Sequence, residues 1–483
     1  MSLKAKYERE PTFYERYEIA RTLTEVYSNF NVTAKYSKHV EKAVLSQALR
    51  NVLLKNPGLV MNFFRKEGCH DDVKEQGKNF IKKPIQKVSF DQLVTYKKLE
   101  GSFDQTVLSE FNEIVFGFDK EAPLWNLIVS DSEGPQYFTF ICNHIIGDAN
   151  TACFFHEDLV NEIVQVQSSD KKDVQLEILF DYSNDKSSLP DFPKATADLI
   201  PELYSPSLWF TVSTVVEKLL LPKFVTNLVS KYVYLHDLQK YPMFSNGEAK
   251  LHAKANYRIV NVDASVTKVL LPSLRAKKVT FTPYFCAVAL QTLQEVVFSC
   301  ISKQKYSTNL SIIVNGRRYY PKLHDQLKYN TVVSVCEVVQ KPIPSSKSID
   351  GLLEPIKYMS DSIIRSVESR DGFKLVGLLK IINFWDFLLS KVGKTDLGTM
   401  ELSNIGNKSI KSGDLEVVDL IFSQDNGLST HVIFSAVSTP AGGINVVVGF
   451  NDELEKLILS DSNEKAMDVF ARELKTRLIE YAQ

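Results

Sequence analysis

His144 and Asp148 are the residues whose types and spacing point first to chemistry. A histidine with an unperturbed pKa of about 6.5 takes and returns a proton near neutrality, so one held at the end of a buried strand suits a general base. The run 137–155, YFTFICNHIIGDANTACFF, reads as an apolar strand, a short His-Ile-Ile-Gly-Asp turn and a helix. Gly147, lacking a side chain, is expected to leave room for a substrate. The plain alternative is a packed histidine with an aspartate that merely caps the helix, and His-x-x-x-Asp is short enough to arise by chance. Against that, none of the other seven histidines has an aspartate four residues on, and a strand, turn and helix would aim a side chain into a cleft.

The elements that must position this turn are bounded by composition. A chain of 483 residues is too long for one ordinary core and suits two domains of about 200 residues each. With 57 basic against 58 acidic residues there is no global field to hold nucleic acid or an anionic membrane. Six scattered cysteines, Cys69, Cys142, Cys153, Cys286, Cys300 and Cys336, form no CxxC pair and read as reduced core residues of a cytosolic protein. The first residues hold no apolar signal region and no run reaches about 18 uncharged apolar residues, so the expectation is a chain neither secreted nor membrane-spanning. GxGxxG, P-loop and metal-spaced His or Cys clusters are absent from the sequence, and no metal is expected.

In order, 11–30 and 38–54 read as helices, the second with Val40, Val44, Ala48 and Val52 on one stripe. Residues 59–64 and 87–90 read as short strands around a charged loop, 65–83. Strands 124–129 and 137–143 flank a turn and suggest a hairpin. The helix after the motif carries Ala152, Phe155, Leu159 and Ile163 at core spacing. Residues 167–207 turn to Ser, Asp, Lys and Pro and read as a crossover. Beyond them, 208–221 and 224–238 are apolar or amphipathic, either a buried helix pair or a membrane-surface element. Strands follow at 257–262, 309–314 and 331–338, with helices at 264–278, 283–300, 352–366 and 373–392. The last hundred residues are mainly strands, 399–405, 415–422, 430–437 and 443–449, before a helix at 464–481. This is a mixed α/β chain. It divides into an N-terminal domain, 1–166, with the motif, the crossover 167–207 and a C-terminal domain, 208–483.

Four motifs, ICNHIIGD, TPYFCAVAL, VNGRR and GTMELSNIG, in this order and at these separations, resemble the fungal alcohol O-acetyltransferase family among the His-x-x-x-Asp acyl-CoA-dependent acyltransferases. The resemblance runs from about residue 56 to the final strands. It implies two chloramphenicol-acetyltransferase-like domains with a tunnel at their interface, admitting acyl-CoA from one side and acceptor from the other. His144 matches the family's general base, and Asp148 its structural aspartate, which pairs with an arginine of the second half. Arg317 is that match, with Arg318 its rival. Ser403 and Asn404 fall on the strand that approaches the reacting carbonyl. The DFGWG signature of the plant branch is absent.

The implied reaction is acetyl transfer from acetyl-CoA, the co-substrate, to an alcohol. A base removes the alcohol proton as it attacks the thioester, an acceleration of about 10² to 10⁴. A donor such as Ser403 or Asn404 would stabilise the oxyanion by roughly 3 kcal/mol. For the coenzyme A phosphates, Lys277 and Lys278 ahead of Thr280 and Thr282 are candidates, the alternative being a solvated lysine pair at a helix end. Relatives acetylate short alcohols, sterols or long-chain amines, so the acceptor is an apolar alcohol or amine. A sphingoid-like N-acetyltransferase and a non-catalytic lipid-binding scaffold are the other readings. The expected protein is a cytoplasmic monomer that binds no nucleic acid, with peripheral contact to endoplasmic reticulum or lipid droplets as the membrane option.

Overall fold

The computed structural model describes residues 7–216 and 241–482, apart from 27, 28, 132, 133, 135, 171, 252, 253 and 426. Two six-stranded sheets organise it. The first is assembled from β1 (Asn29–Tyr36), β2 (Val94–Lys98), β3 (Trp125–Asp131) and β4 (Gln136–Asn143). The second uses β5 (Asn256–Val262), β6 (Thr308–Asn315), β7 (Val333–Gln340) and β8 (Gly398–Asn407). Next come β9 (Lys411–Ser412), β10 (Leu415–Gln424), β11 (Thr430–Thr439) and β12 (Gly443–Phe450). The strand orders are β9-β10-β1-β4-β3-β2 and β7-β6-β8-β11-β12-β5.

β10 therefore leaves the half in which it is made and pairs antiparallel with β1, from Phe30 opposite Gln424 to Tyr36 opposite Val417. A division that gives all of 208–483 to one domain is corrected by this pairing. The open edge of β1 is what the loan satisfies, since a buried strand must find partners for its N–H and C=O groups. Phe384, Trp385 and Leu388 likewise pack into the first core, whereas Phe13, from the N-terminal helix, packs into the second.

Helices cover one face of each sheet. On the first, α2 (Lys42–Lys55) and α3 (Ala149–Gln167) follow from their apolar stripes, with Val44, Ala48 and Val52 on α2 and Ala152, Phe155, Leu159 and Ile163 on α3 all buried, while α1 (Phe13–Leu23) lies against the helix Phe384–Leu389. Phe140 of β4 stacks on Phe155 at 4.2 Å, which fixes α3 over the strand that leads into His144. On the second, α4 (Phe281–Thr292), α5 (Leu353–Ser369) and α6 (Ala466–Glu480) do the same work. α4 runs on through a π turn to Ile301, and the whole rod is apolar and long enough to cross a membrane; 72% of its most apolar window is buried, as in a core helix.

Several elements differ from the sequence expectation. The helix expected over 11–30 stops at Leu23, and Asn29–Tyr36 is a strand, its Phe30, Val32, Ala34 and Tyr36 alternating on one face. The loop expected over 65–83 contains the strand Phe80–Pro84, paired with Met61–Arg65. The helix over 373–392 is broken: Ile382 is extended and Asn383 caps a new helix, Phe384–Leu389, through the amides of Trp385 and Asp386. Within 167–207, Leu179 and Phe180 lie in the first core and Ile200, Leu203 and Tyr204 in the second, so the stretch passes from one to the other. Of the two apolar helices expected beyond it, Leu208–Val215 is helical, and 224–238 lies outside the described residues.

Candidate active site

The turn that carries His144 is built by its own side chains. Asn143, fully buried, ends β4: its Oδ1 accepts from the Ile145 amide at 3.0 Å, and its Nδ2 donates to Thr22 Oγ1 of α1 at 3.0 Å. This is an Asx turn, the local bond by which asparagine diverts a strand. Five residues later Asp148 caps α3, its Oδ1 accepting from the amides of Asn150 and Thr151 at 3.0 and 3.3 Å, while Thr151 Oγ1 accepts from the Asp148 amide. Strand end and helix start are thereby fixed, and His144 sits between them.

The other Asp148 oxygen belongs to the second half of the chain. Oδ2 accepts from Arg317 Nη1 at 2.7 Å and from the Val332 amide at 3.0 Å. Arg317 also donates from Nε to the Leu327 carbonyl at 3.0 Å and from Nη2 to Thr151 Oγ1 and the Asn330 carbonyl. Both side chains are buried, at 3% and 6% exposure. Arg318, the rival, is exposed. Thr331 Oγ1 completes the clamp by donating to the His144 carbonyl at 2.8 Å.

The imidazole is held in one tautomer. Nδ1 lies 3.1 Å from the Gly147 carbonyl, which can only accept, so Nδ1 carries the hydrogen and Nε2 the lone pair. The Phe30 ring stands 4.8 Å from it. Burial pushes the His144 pKa below 6.5, with Glu18 and Asp148 pulling upward and Arg21 downward. The ring is therefore neutral at pH 7.

His144 faces a cavity of about 640 Å³ between the two sheets, within the range of small-molecule sites. Strand alternation makes its walls. On β6, Leu310 and Ile312 enter the second core while Asn309, Ser311 and Ile313 face the cavity. On β8, Met400 and Leu402 point to the core and Glu401, Ser403 and Ile405 to the cavity. The borrowed β10 contributes Phe422 and Gln424.

The structure thus brings His144, Asp148, Ser403 and Asn404 to one cavity, with Arg317 behind Asp148. Asn404 is anchored, donating to Thr282 Oγ1 at 3.2 Å and accepting from the Gly406 amide at 3.0 Å, which leaves one amide hydrogen for other work. Thr282 reaches the site only through that bond. Lys277, Lys278 and Thr280 are exposed and away from the cavity lining, and Lys277 pairs with Asp350 at 3.0 Å. Gly147 needs a different explanation from the expected one. A Cβ there would lie 2.6 Å from Thr151, so the missing side chain makes room for the first turn of α3 rather than for a substrate. Asn143, Thr151, Thr331 and Glu401 escaped sequence reading; the Asn-His-x-x-x-Asp-x-x-Thr spacing carries the strand stop and the capping box, whereas Thr331 and Glu401 show only in three dimensions. Among the described residues, no group of three His, Cys, Asp or Glu side chains is placed to hold a metal ion.

Comparison with known proteins adds what geometry alone leaves open. Residues 12–474 match the alcohol acetyltransferase family. The chain belongs to that family. It is similar to alcohol O-acetyltransferase 2 of Saccharomyces cerevisiae, 23% identical across 89% of each chain. It is also similar to the N-acetyltransferase SLI1 of the same yeast, 22% identical across 92% of this chain and 95% of the relative. Among solved structures, a trichothecene 15-O-acetyltransferase from Fusarium sporotrichioides superposes with a TM-score of 0.66 at 11% identity, covering 99% of this chain and 98% of that one. The first condensation domain of the CDA synthetase gives 0.57 at 13% identity, covering 99% and 98%. The chain is thus an acyltransferase of the alcohol acetyltransferase family on the two-sheet fold of the acetyltransferases and condensation domains, and the family implies an acyl-CoA co-substrate.

The packing at the turn is directly testable. Gly147→Ala forces Thr151 to move, and overpacking of this kind costs about 1–3 kcal/mol. The expected result is a lower unfolding midpoint in a thermal melt, together with reduced activity. A wild-type midpoint would show that the turn tolerates a Cβ.

Proposed function

We propose that the chain transfers an acetyl group from acetyl-CoA to an alcohol, with His144 as general base. The observation that carries this reading is the His144 tautomer: Nδ1 donates to the Gly147 carbonyl, so Nε2 bears the lone pair on a ring that faces the cavity. An alcohol is a weak nucleophile at neutral pH, and Nε2 takes its proton as the oxygen attacks the thioester carbonyl. The oxyanion of the tetrahedral intermediate receives a hydrogen bond from Ser403 Oγ or from the second amide hydrogen of Asn404. Collapse breaks the carbon–sulfur bond, and the imidazolium returns its proton to the departing CoA thiolate. Asp148 accepts four hydrogen bonds and is spent on position, so the proton moves through His144 alone.

Coenzyme A is assigned to the end of the cavity where Asn404 meets Thr282, with its phosphates toward Lys277, Lys278 and Thr280. What supports this is the bond from Asn404 to Thr282, which joins that segment to the cavity wall. An amine acceptor is the second reading, favoured by the similarity to an N-acetyltransferase across nearly the full chain. A non-catalytic lipid-binding scaffold would have no need of a base held in one tautomer. Peripheral membrane contact belongs to the proposal as well: helix Leu208–Val215 leaves Leu208 and Trp209 at 81% and 80% exposure, a usual sign of a surface that meets something apolar.

With purified protein, acetyl-CoA and a panel of alcohols and amines, His144→Ala is expected to lower CoA release at least about 10²-fold while the fold survives, since proton transfer is lost and packing is not. Wild-type turnover in a folded variant would end the assignment. In the native enzyme kcat/KM should rise with pH through an ionisation below 6.5 and level off above it, because burial holds the base neutral. For the membrane surface, flotation with neutral liposomes should weaken when Leu208 and Trp209 are replaced by serine. Protein that stays at the bottom of the gradient would reject docking.

A further inference from the structure

Glu401 is a carboxylate in the cavity wall with little structural employment. It shares the cavity-facing side of β8 with Ser403, about 6.6 Å along the strand at the usual rise. It belongs to no ion pair among the described residues, and its one hydrogen bond comes from Gln424 Nε2 at a long 3.5 Å. The two cations that act on it electrostatically, Arg21 and Lys391, also make other contacts. Arg21 holds Glu18 at 3.0 and 3.2 Å, and Lys391 Nζ stands 4.7 Å over the Phe387 ring. Burial pushes the Glu401 pKa up to about 7, against the opposing pull of Arg21 and Lys391. A half-buried carboxylate with one long hydrogen bond keeps acceptor capacity to spare, so a group of this kind in a binding cavity points to a ligand that completes it.

Which ligand follows from the direction of the strand. Beyond Ser403, β8 leads to Asn404 and its bond to Thr282, the end assigned above to coenzyme A. Glu401 is on the opposite side of Ser403. There Arg21 and Lys391 bring α1 and the Phe384–Leu389 helix alongside, and Tyr17, Phe387 and Leu388 of those helices supply apolar wall. Glu337, Arg21 and Lys391 face the same cavity, and a compartment with this apolar wall and an acceptor at Glu401 fits a molecule with an apolar body and a hydrogen-bond donor besides the group that reacts.

We infer that Glu401 selects the acceptor by accepting an O–H or N–H from a second polar group on it, so that apolar amino alcohols and diols are preferred over plain alkanols. This rests on the acetyltransferase reading. Norleucinol and hexanol share one carbon skeleton and differ by an amino group, which makes them suitable probes. Wild type, Glu401→Leu and the isosteric Glu401→Gln would be compared in initial-rate assays with acetyl-CoA, and in calorimetric titrations with norleucinol. The ratio of kcat/KM for norleucinol over hexanol is expected to fall at least tenfold in the leucine variant and by less in the glutamine variant, which still offers an acceptor oxygen. A ratio within twofold of wild type in both variants overturns the inference. Should wild type acetylate neither compound, the panel above decides the acetyltransferase reading and titration decides Glu401: binding at least tenfold weaker in the leucine variant supports its role, and equal binding rejects it.

Discussion

The buried pair of Asp148 and Arg317 is the contact on which the geometry of the cavity depends. Two charges withdrawn from water repay their desolvation only when every lone pair and N–H finds a partner. Here that condition is met almost completely. Asp148 accepts two bonds from its own helix, one from Arg317 and one from the Val332 amide, and Arg317 spreads its other donors over Thr151 and the carbonyls of Leu327 and Asn330. The aspartate comes from the first half of the chain and everything that pairs with it across the cavity comes from the second. One charge pair therefore sets the first residue of α3, the loop at 327–332 and the distance between the two sheets. His144, four residues upstream on the same turn, inherits its position from that arrangement.

The borrowed strand serves the same end by different means. β10 pairs with seven residues of β1, Phe30 to Tyr36, and delivers Phe422 and Gln424 into the cavity, so one wall of the site is made by the half opposite to the one that houses it. Such a loan makes the halves difficult to separate. It also explains why no single cut divides the chain into two independent domains.

Much of this was legible in the sequence where side-chain spacing coincides with local structure. The apolar run before His144, the capping aspartate and the stripe of Ala152, Phe155, Leu159 and Ile163 are all short-range patterns, and the resemblance pointed to Arg317 as the partner, which stands at 2.7 Å. What escaped was set by contacts distant in sequence. β1 carries Asn29, Asn31 and Thr33 on its second face; the helix expected over 11–30 took in Asn29 and left 31–37 unassigned, because Asn31 finds its partner only in Asn112, 81 positions away. Thr331 reaches the His144 carbonyl across 187 positions, a relation that no local pattern encodes. The charges in the cavity wall, Arg21, Glu337, Lys391 and Glu401, likewise come together only in the fold.

The most direct test of the central claim is a double-mutant cycle on Asp148→Asn and Arg317→Met, read by thermal unfolding and by kcat. If the pair is the constraint that fixes the turn, each single change strands a buried charged or polar partner at a cost of about 3–5 kcal/mol and lowers kcat steeply, while the double change costs little more than either alone. Losses that simply add would contradict the account, because the two residues would then act on the site independently.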